Sequence, residues 1–193
     1  MKVDGLRRIW LRSVTAYTLA GAMASGLVGF CAGGLGSLIP AGNWSRVGLV
    51  VAAVIGVLVA LRESIGRTWP VPQLRRQTPE NLRRRYSAPV AAALWGFDLG
   101  LVFSTWLTFA GPWFVLTVAI ALGSPLLGTW LFLGQWLARA AWLWLAPYLL
   151  TSARIGPLFS QQVVRAIGLF RLVQIIASLI GVAALVRLVV GWT

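Results

Sequence analysis

The stretch from Val14 to Ile39 carries no charged residue and exceeds the roughly 20 residues that take an α-helix across a bilayer core. Comparable apolar runs recur along the chain, so an all-α, polytopic transmembrane bundle is the expected fold class. A membrane β-barrel needs alternating segments of about ten residues, and these are absent. Composition agrees: 59% of the residues are hydrophobic, mean hydropathy is +0.82, and 11% are charged, against about 25% in a soluble domain.

The net charge of +13 arises from sixteen arginines and one lysine against four acids. These charges fall mainly between the apolar runs, where the positive-inside rule and anionic headgroups account for them without nucleic acid. The chain has no histidine and one cysteine, Cys31. Zinc, haem and di-iron sites therefore lack ligands, a catalytic triad lacks its usual base, and no internal disulfide can form. No cofactor, metal site or enzymatic activity is expected, and no phosphate-binding Gly-Lys loop is present.

The basic segment up to Arg12 leads into a first span, read as uncleaved because the apolar run outlasts a signal-peptide core of 7–15 residues. Pro40 to Arg46 reads as a turn and Val47 to Leu61 as a second span. Arg62 to Ser87 is the longest polar stretch, with seven arginines, two glutamates and three prolines. That concentration marks it as cytoplasmic, with the N-terminus on the same side. A third span covers Ala88 to Ala110, with Gly111-Pro112 as a tight turn. A fourth runs from Trp113 to Leu133, interrupted at Gly123-Ser124-Pro125. A fifth is Leu137 to Leu150 and the last is Leu172 to Val190. Six spans place Arg154, Arg165 and Arg171 outside, against the charge rule. Five, with a re-entrant break at Ser124–Gly128, place them inside. Six are preferred, because Trp113 to Leu150 is long enough for two crossings. The whole chain reads as one integral domain of a bacterial inner membrane.

Two pentads stand out: Gly29-Phe30-Cys31-Ala32-Gly33 and Gly96-Phe97-Asp98-Leu99-Gly100. They suggest a twofold parallel repeat, residues 13–67 and 88–140, of the kind found in some transporters. Their Gly-x-x-x-Gly spacing predicts close packing of the first and third helices, with Cys31 and Asp98 near the contact. Asp98 is the one carboxylate inside a long apolar stretch, and such a residue marks a pathway, a pair or a site. Arg139 is its nearest intramembrane cation. Thr105 shares its helix face, and Gln135 lies one turn before Arg139. Asp98, Arg139, Thr105, Gln135 and Cys31 therefore form the candidate path for a solute or proton.

Arg76-Gln77-Thr78-Pro79, Trp95-Gly96-x-x-x-Gly100, Thr105, Gly123-Ser124-Pro125 and Gly134 to Arg139 together resemble small actinobacterial membrane proteins related to the cytochrome c biogenesis and thiol-relay (CcdA/DsbD-like) transporters. The resemblance covers about a third of the chain and implies a small transporter-like membrane protein. Relays in that group use a cysteine pair in inverted halves. Here only Cys31 is present and Asp98 stands at the matching place, which argues against thiol relay by this chain alone.

Two functions remain. The favoured one is a membrane protein that moves, or helps move, a small solute or proton about Asp98. The other is a non-catalytic subunit or scaffold, held in the bilayer and docking a partner through Arg83, Arg84 and Arg85.

Overall fold

The computed structural model describes residues 2–39, 44–65, 85–102, 110–149 and 157–191. The described residues form six α-helices: α1 (Lys2–Ser37), α2 (Trp44–Ile65), α3 (Ala88–Gly100), α4 (Gly111–Leu122), α5 (Pro125–Leu149) and α6 (Pro157–Val190). Three segments, Arg7–Ser37, Arg46–Ile65 and Arg171–Val190, are long and apolar enough to cross a membrane. Thr105, Arg83 and Arg84 lie outside the described residues, as does most of the arginine-rich stretch.

Proline sets four of the six helix starts. Pro125 and Pro157 open α5 and α6, while Pro89 and Pro112 stand second in α3 and α4. A ring that fixes φ and lacks an N–H fits the first turn, where that N–H has no intrahelical partner. This corrects the expectation that Gly111-Pro112 forms a tight turn, since both residues begin α4. It also corrects the span from Trp113 to Leu133. The chain reverses at Gly123, which adopts a left-handed conformation (φ 57°) at the end of α4 and donates to the Ile120 carbonyl at 3.1 Å. Ser124 Oγ then accepts from the Leu127 N–H at 3.4 Å as α5 begins. A glycine cap followed directly by proline ends one helix and starts the next. Beyond it α5 runs unbroken over 25 residues, so Leu137 to Leu150 is no separate helix.

α1 is the axis of one half of the bundle. α3 runs parallel to it, with Gly96 against the Tyr17 backbone and Gly100 against Gly21 and Ala24. α5 runs antiparallel, with Gly128 against Gly29 and Trp136 over Gly21. α4 follows the upper part of α1, where Ala119 joins Ala32 in one apolar cluster and Gly123 rests on Gly36. The 12 residues of α4 advance about 18 Å, so α4 starts near the height at which α3 stops. Together α3 and α4 retrace the course of α1 in two pieces. At the break Val102 takes φ 65°, a left-handed conformation that a β-branched residue adopts only under strain of about 1–3 kcal/mol. Its side chain is buried with Ala32, Ala119 and Phe132, which holds it there.

The other half is α2 and α6, antiparallel to each other, with α4 against both. Phe114 of α4 fills the space between Gly56 and Gly181, and Leu49, Ala52, Val118 and Leu185 complete the cluster. Among the described residues α3 ends at Gly100 and α4 begins at Gly111, and the two follow α1 in the same direction. Arg171 lies at the same end of α2 as Arg62.

Candidate functional site

Asp98 stands on α3 two residues from both Gly96 and Gly100. At 100° per residue it lies on the opposite side of the helix from the α1 contact those glycines make. It is half-buried and has an interaction of its own there. Cys31 has the same relation to Gly29 and Gly33 and is exposed. The expectation that Cys31 and Asp98 sit near one shared contact is therefore corrected. The glycines of each pentad turn inward, so the central residue turns out. The two pentads also meet different partners: Gly96 and Gly100 face α1, whereas Gly29 and Gly33 face Gly128 and Ser124 of the α5 end.

Arg139 and Gln135 lie on α5, both partly buried. Arg139 is within electrostatic reach of Tyr17 on α1. Tyr17 stacks at a tilt on Trp136 (5.1 Å between ring centres) and edge-on to Trp95 (6.3 Å). Trp136 Nε1 donates to the Thr18 carbonyl at 2.9 Å, and Trp144 Nε1 to the Thr18 hydroxyl at 3.1 Å. This corner joins α1, α3 and α5 by aromatic contact and hydrogen bonds. The described contacts bring Arg139 to Tyr17 and leave Asp98 on the far side of α3.

A second polar centre lies where α3 gives way to α4, and the carboxylate there is Glu63. Its side chain is 4% exposed. Oε1 accepts from Arg62 Nη1 at 2.7 Å and from the Ala110 backbone N–H at 3.1 Å. Oε2 lies 3.9 Å from Nε of Arg171 on α6, a nitrogen that makes no hydrogen bond among the described residues. The Gln174 side-chain amide closes over Gly111, and a side chain added there would have to push that amide aside. One carboxylate thus joins the end of α2, the start of α4 and the middle of α6. Its position at the N-terminus of α4 is electrostatically favourable, because the first N–H groups of a helix present partial positive charge. With two guanidiniums around it, the buried carboxylate is balanced.

Sequence reasoning passed over Glu63 because it stands beside Arg62 at the head of the arginine-rich stretch and reads as a solvated loop residue. The one signal available was its place directly after an apolar run. Its partner at Ala110 is forty-seven positions away, and spacing does not reveal such a contact. Chemically the cluster can hold a negative charge at a break in the bundle, and altering that charge would loosen three helices together. Among the described residues no group of histidine, cysteine, aspartate or glutamate is placed to hold a metal ion.

No family model matches the chain, and no solved structure does. Among curated proteins it is similar to methylamine utilization protein MauF of Paracoccus versutus, 28% identical over 116 residues, which is 60% of this chain and 42% of that protein. It is also similar to MauF of Paracoccus denitrificans, 26% identical over 104 residues, covering 53% and 38% respectively. The chain thus matches about two-fifths of the length of these relatives.

Proposed function

We propose that the chain is a membrane-embedded accessory component of a multi-protein system of the methylamine-utilization kind. The similarity to two MauF proteins over more than half of the chain carries this reading. The structure adds a physical reason why a partner would be engaged through arginines. Glu63 ties down the end of α2, and Gly96 with Gly100 seats α3 on α1. The helices on either side of the arginine-rich stretch are thus both anchored, and Arg83, Arg84 and Arg85 are the residues proposed to meet an acidic partner surface. In this reading the arginine-rich side is cytoplasmic and the membrane is a bacterial inner membrane. The test is rescue of growth on methylamine in a Paracoccus strain lacking MauF. Wild type restores growth, and replacing Arg83, Arg84 and Arg85 by Gln removes the rescue without changing membrane insertion. Wild type that inserts and fails to rescue would sink the proposal.

A transporter-like role, the second reading, is favoured by the traverse interrupted between α3 and α4 with a buried carboxylate beside it. Half-helices that meet near mid-membrane are where transporters place their sites. Proton or solute flux in vesicles tests it with wild type, Glu63→Gln and Asp98→Asn. Flux lost with Glu63→Gln in a folded protein supports a path at the break, loss with Asp98→Asn alone supports one at α3, and no flux from wild type removes the reading.

A further inference from the structure

Between α2 and α6 lies an open groove of about 360 Å³ whose lining exposes no polar surface. Seven of its nine lining residues are valines, among them Val54, Val57, Val182 and Val186. These side chains are short and stiff at χ1, so although α2 and α6 touch at Gly56 and Val182 the groove beside that contact stays open. From Val50 to Leu58 the groove follows α2 for about 12 Å. Its walls are apolar throughout, and only 11% of the Arg171–Val190 segment is buried, against 39% of Arg46–Ile65.

One end of the groove is cationic. Arg46 lies one turn before Val50 on the same face of α2, and Arg187 lies between the lining residues Val186 and Val190. Both arginines are exposed. The N-terminus of α2 adds the partial positive charge of its first N–H groups. No acid stands within the described parts of α2 or α6 at this end; the one acid of the two helices, Glu63, is at the other.

From this charge complementarity we infer that the groove holds one anionic glycerophospholipid, with an acyl chain along the valines and the phosphate at Arg46 and Arg187. The assignment does not depend on the accessory or the transporter reading. Interfacial arginines attract anionic lipid by about 1 kcal/mol each, which predicts a preference over a zwitterionic lipid of about tenfold or more.

Native mass spectrometry of delipidated full-length protein tests it, with phosphatidylglycerol or phosphatidylcholine added back in detergent. Wild type is expected to retain one phosphatidylglycerol per chain, about tenfold tighter than phosphatidylcholine. Arg46→Gln, at an exposed position, cuts the preference for phosphatidylglycerol about fivefold, and the double change Arg46→Gln with Arg187→Gln lowers phosphatidylglycerol to the phosphatidylcholine level. Ala53→Phe fills the groove and removes the bound lipid, with folding checked by an unchanged melting temperature in lipid-free detergent. Equal retention of the two lipids would overturn the inference, as would retention untouched by Arg46→Gln. A dimer that Ala53→Phe splits into monomers, with lipid binding intact, would overturn it in favour of a second copy of the chain.

Discussion

Around α1 the helices close until backbone meets backbone, whereas α2 and α6 touch through side chains, Val182 against Gly56, and leave an open groove beside that contact. The difference follows from side chains. α1 offers Gly21, Ala24, Ser25, Gly29, Ala32, Gly33 and Gly36 to α3, α4 and α5, so carbonyls come within contact of glycine Cα atoms. Lipid tails are as apolar as leucine, so helices in a bilayer gain little by hiding apolar surface from one another. Close fit and internal hydrogen bonds decide association instead. The α1 half has both: Ser25 Oγ donates to the buried Phe132 carbonyl at 3.1 Å, and Trp136 bonds across to α1. The α2–α6 half packs branched side chains around Phe114 and relies on one carboxylate at its end.

Glu63→Ala breaks this comparison hardest. It strips a buried pair of one partner, a loss of about 3–5 kcal/mol, and it should free α4 and α6 while α1 and α5 stay together. Thermal unfolding and proteolysis in detergent check this; a uniform loss of all helix contacts would mean that the two halves are not separable. Gly29→Val attacks the other half. Its Cβ would fall on the Gly128 carbonyl, a backbone atom that cannot move aside, so a loss of about 1–3 kcal/mol or more is expected. An unchanged melting temperature there would show that the α1–α5 seam is looser than described.

Trp136→Phe is milder. It removes the bond to the Thr18 carbonyl, for about 0.5–1.5 kcal/mol, and withdraws the outer ring atoms that lie over Gly21. Gly34→Ala has the smallest effect and the opposite sign. Nothing lies within 4 Å of the added methyl, and alanine in a helix interior gains about 0.5–1 kcal/mol over glycine. If Gly34→Ala destabilises as Gly29→Val does, the stripe of tight glycines has been drawn too narrowly.

Much of the fold could be read from local chemistry. The apolar run lengths announce helices, and Pro89, Pro125 and Pro157 mark where three of them begin. Gly-x-x-x-Gly flags close approach. Which helices approach was not readable, because Gly29 and Gly96 carry the same signature and yet meet α5 and α1. The hairpin at Gly123 and the break after Gly100 were confused for a related reason. Glycine and proline show that a helix stops, without showing whether the chain reverses or continues. The sequence pointed to Asp98 and passed over Glu63 because hydropathy weighs each residue by its sequence neighbours. Asp98 is surrounded by apolar sequence and lies half-buried on the outward side of α3, whereas Glu63 is surrounded by polar sequence and is nearly fully buried.

By itself, then, the sequence determined that this chain is helical and apolar enough for a membrane, and that its charge gathers mainly between its apolar runs. These properties depend on residues within a turn or two of each other, through backbone hydrogen bonding and side-chain hydrophobicity. Tertiary structure alone decided that α3 and α4 both follow α1, that α1 is the common axis, and that Glu63 joins α2 to the start of α4 and the middle of α6. Those outcomes rest on contacts between positions far apart in the chain, fixed by which surfaces fit at atomic distance, and no local pattern encodes them.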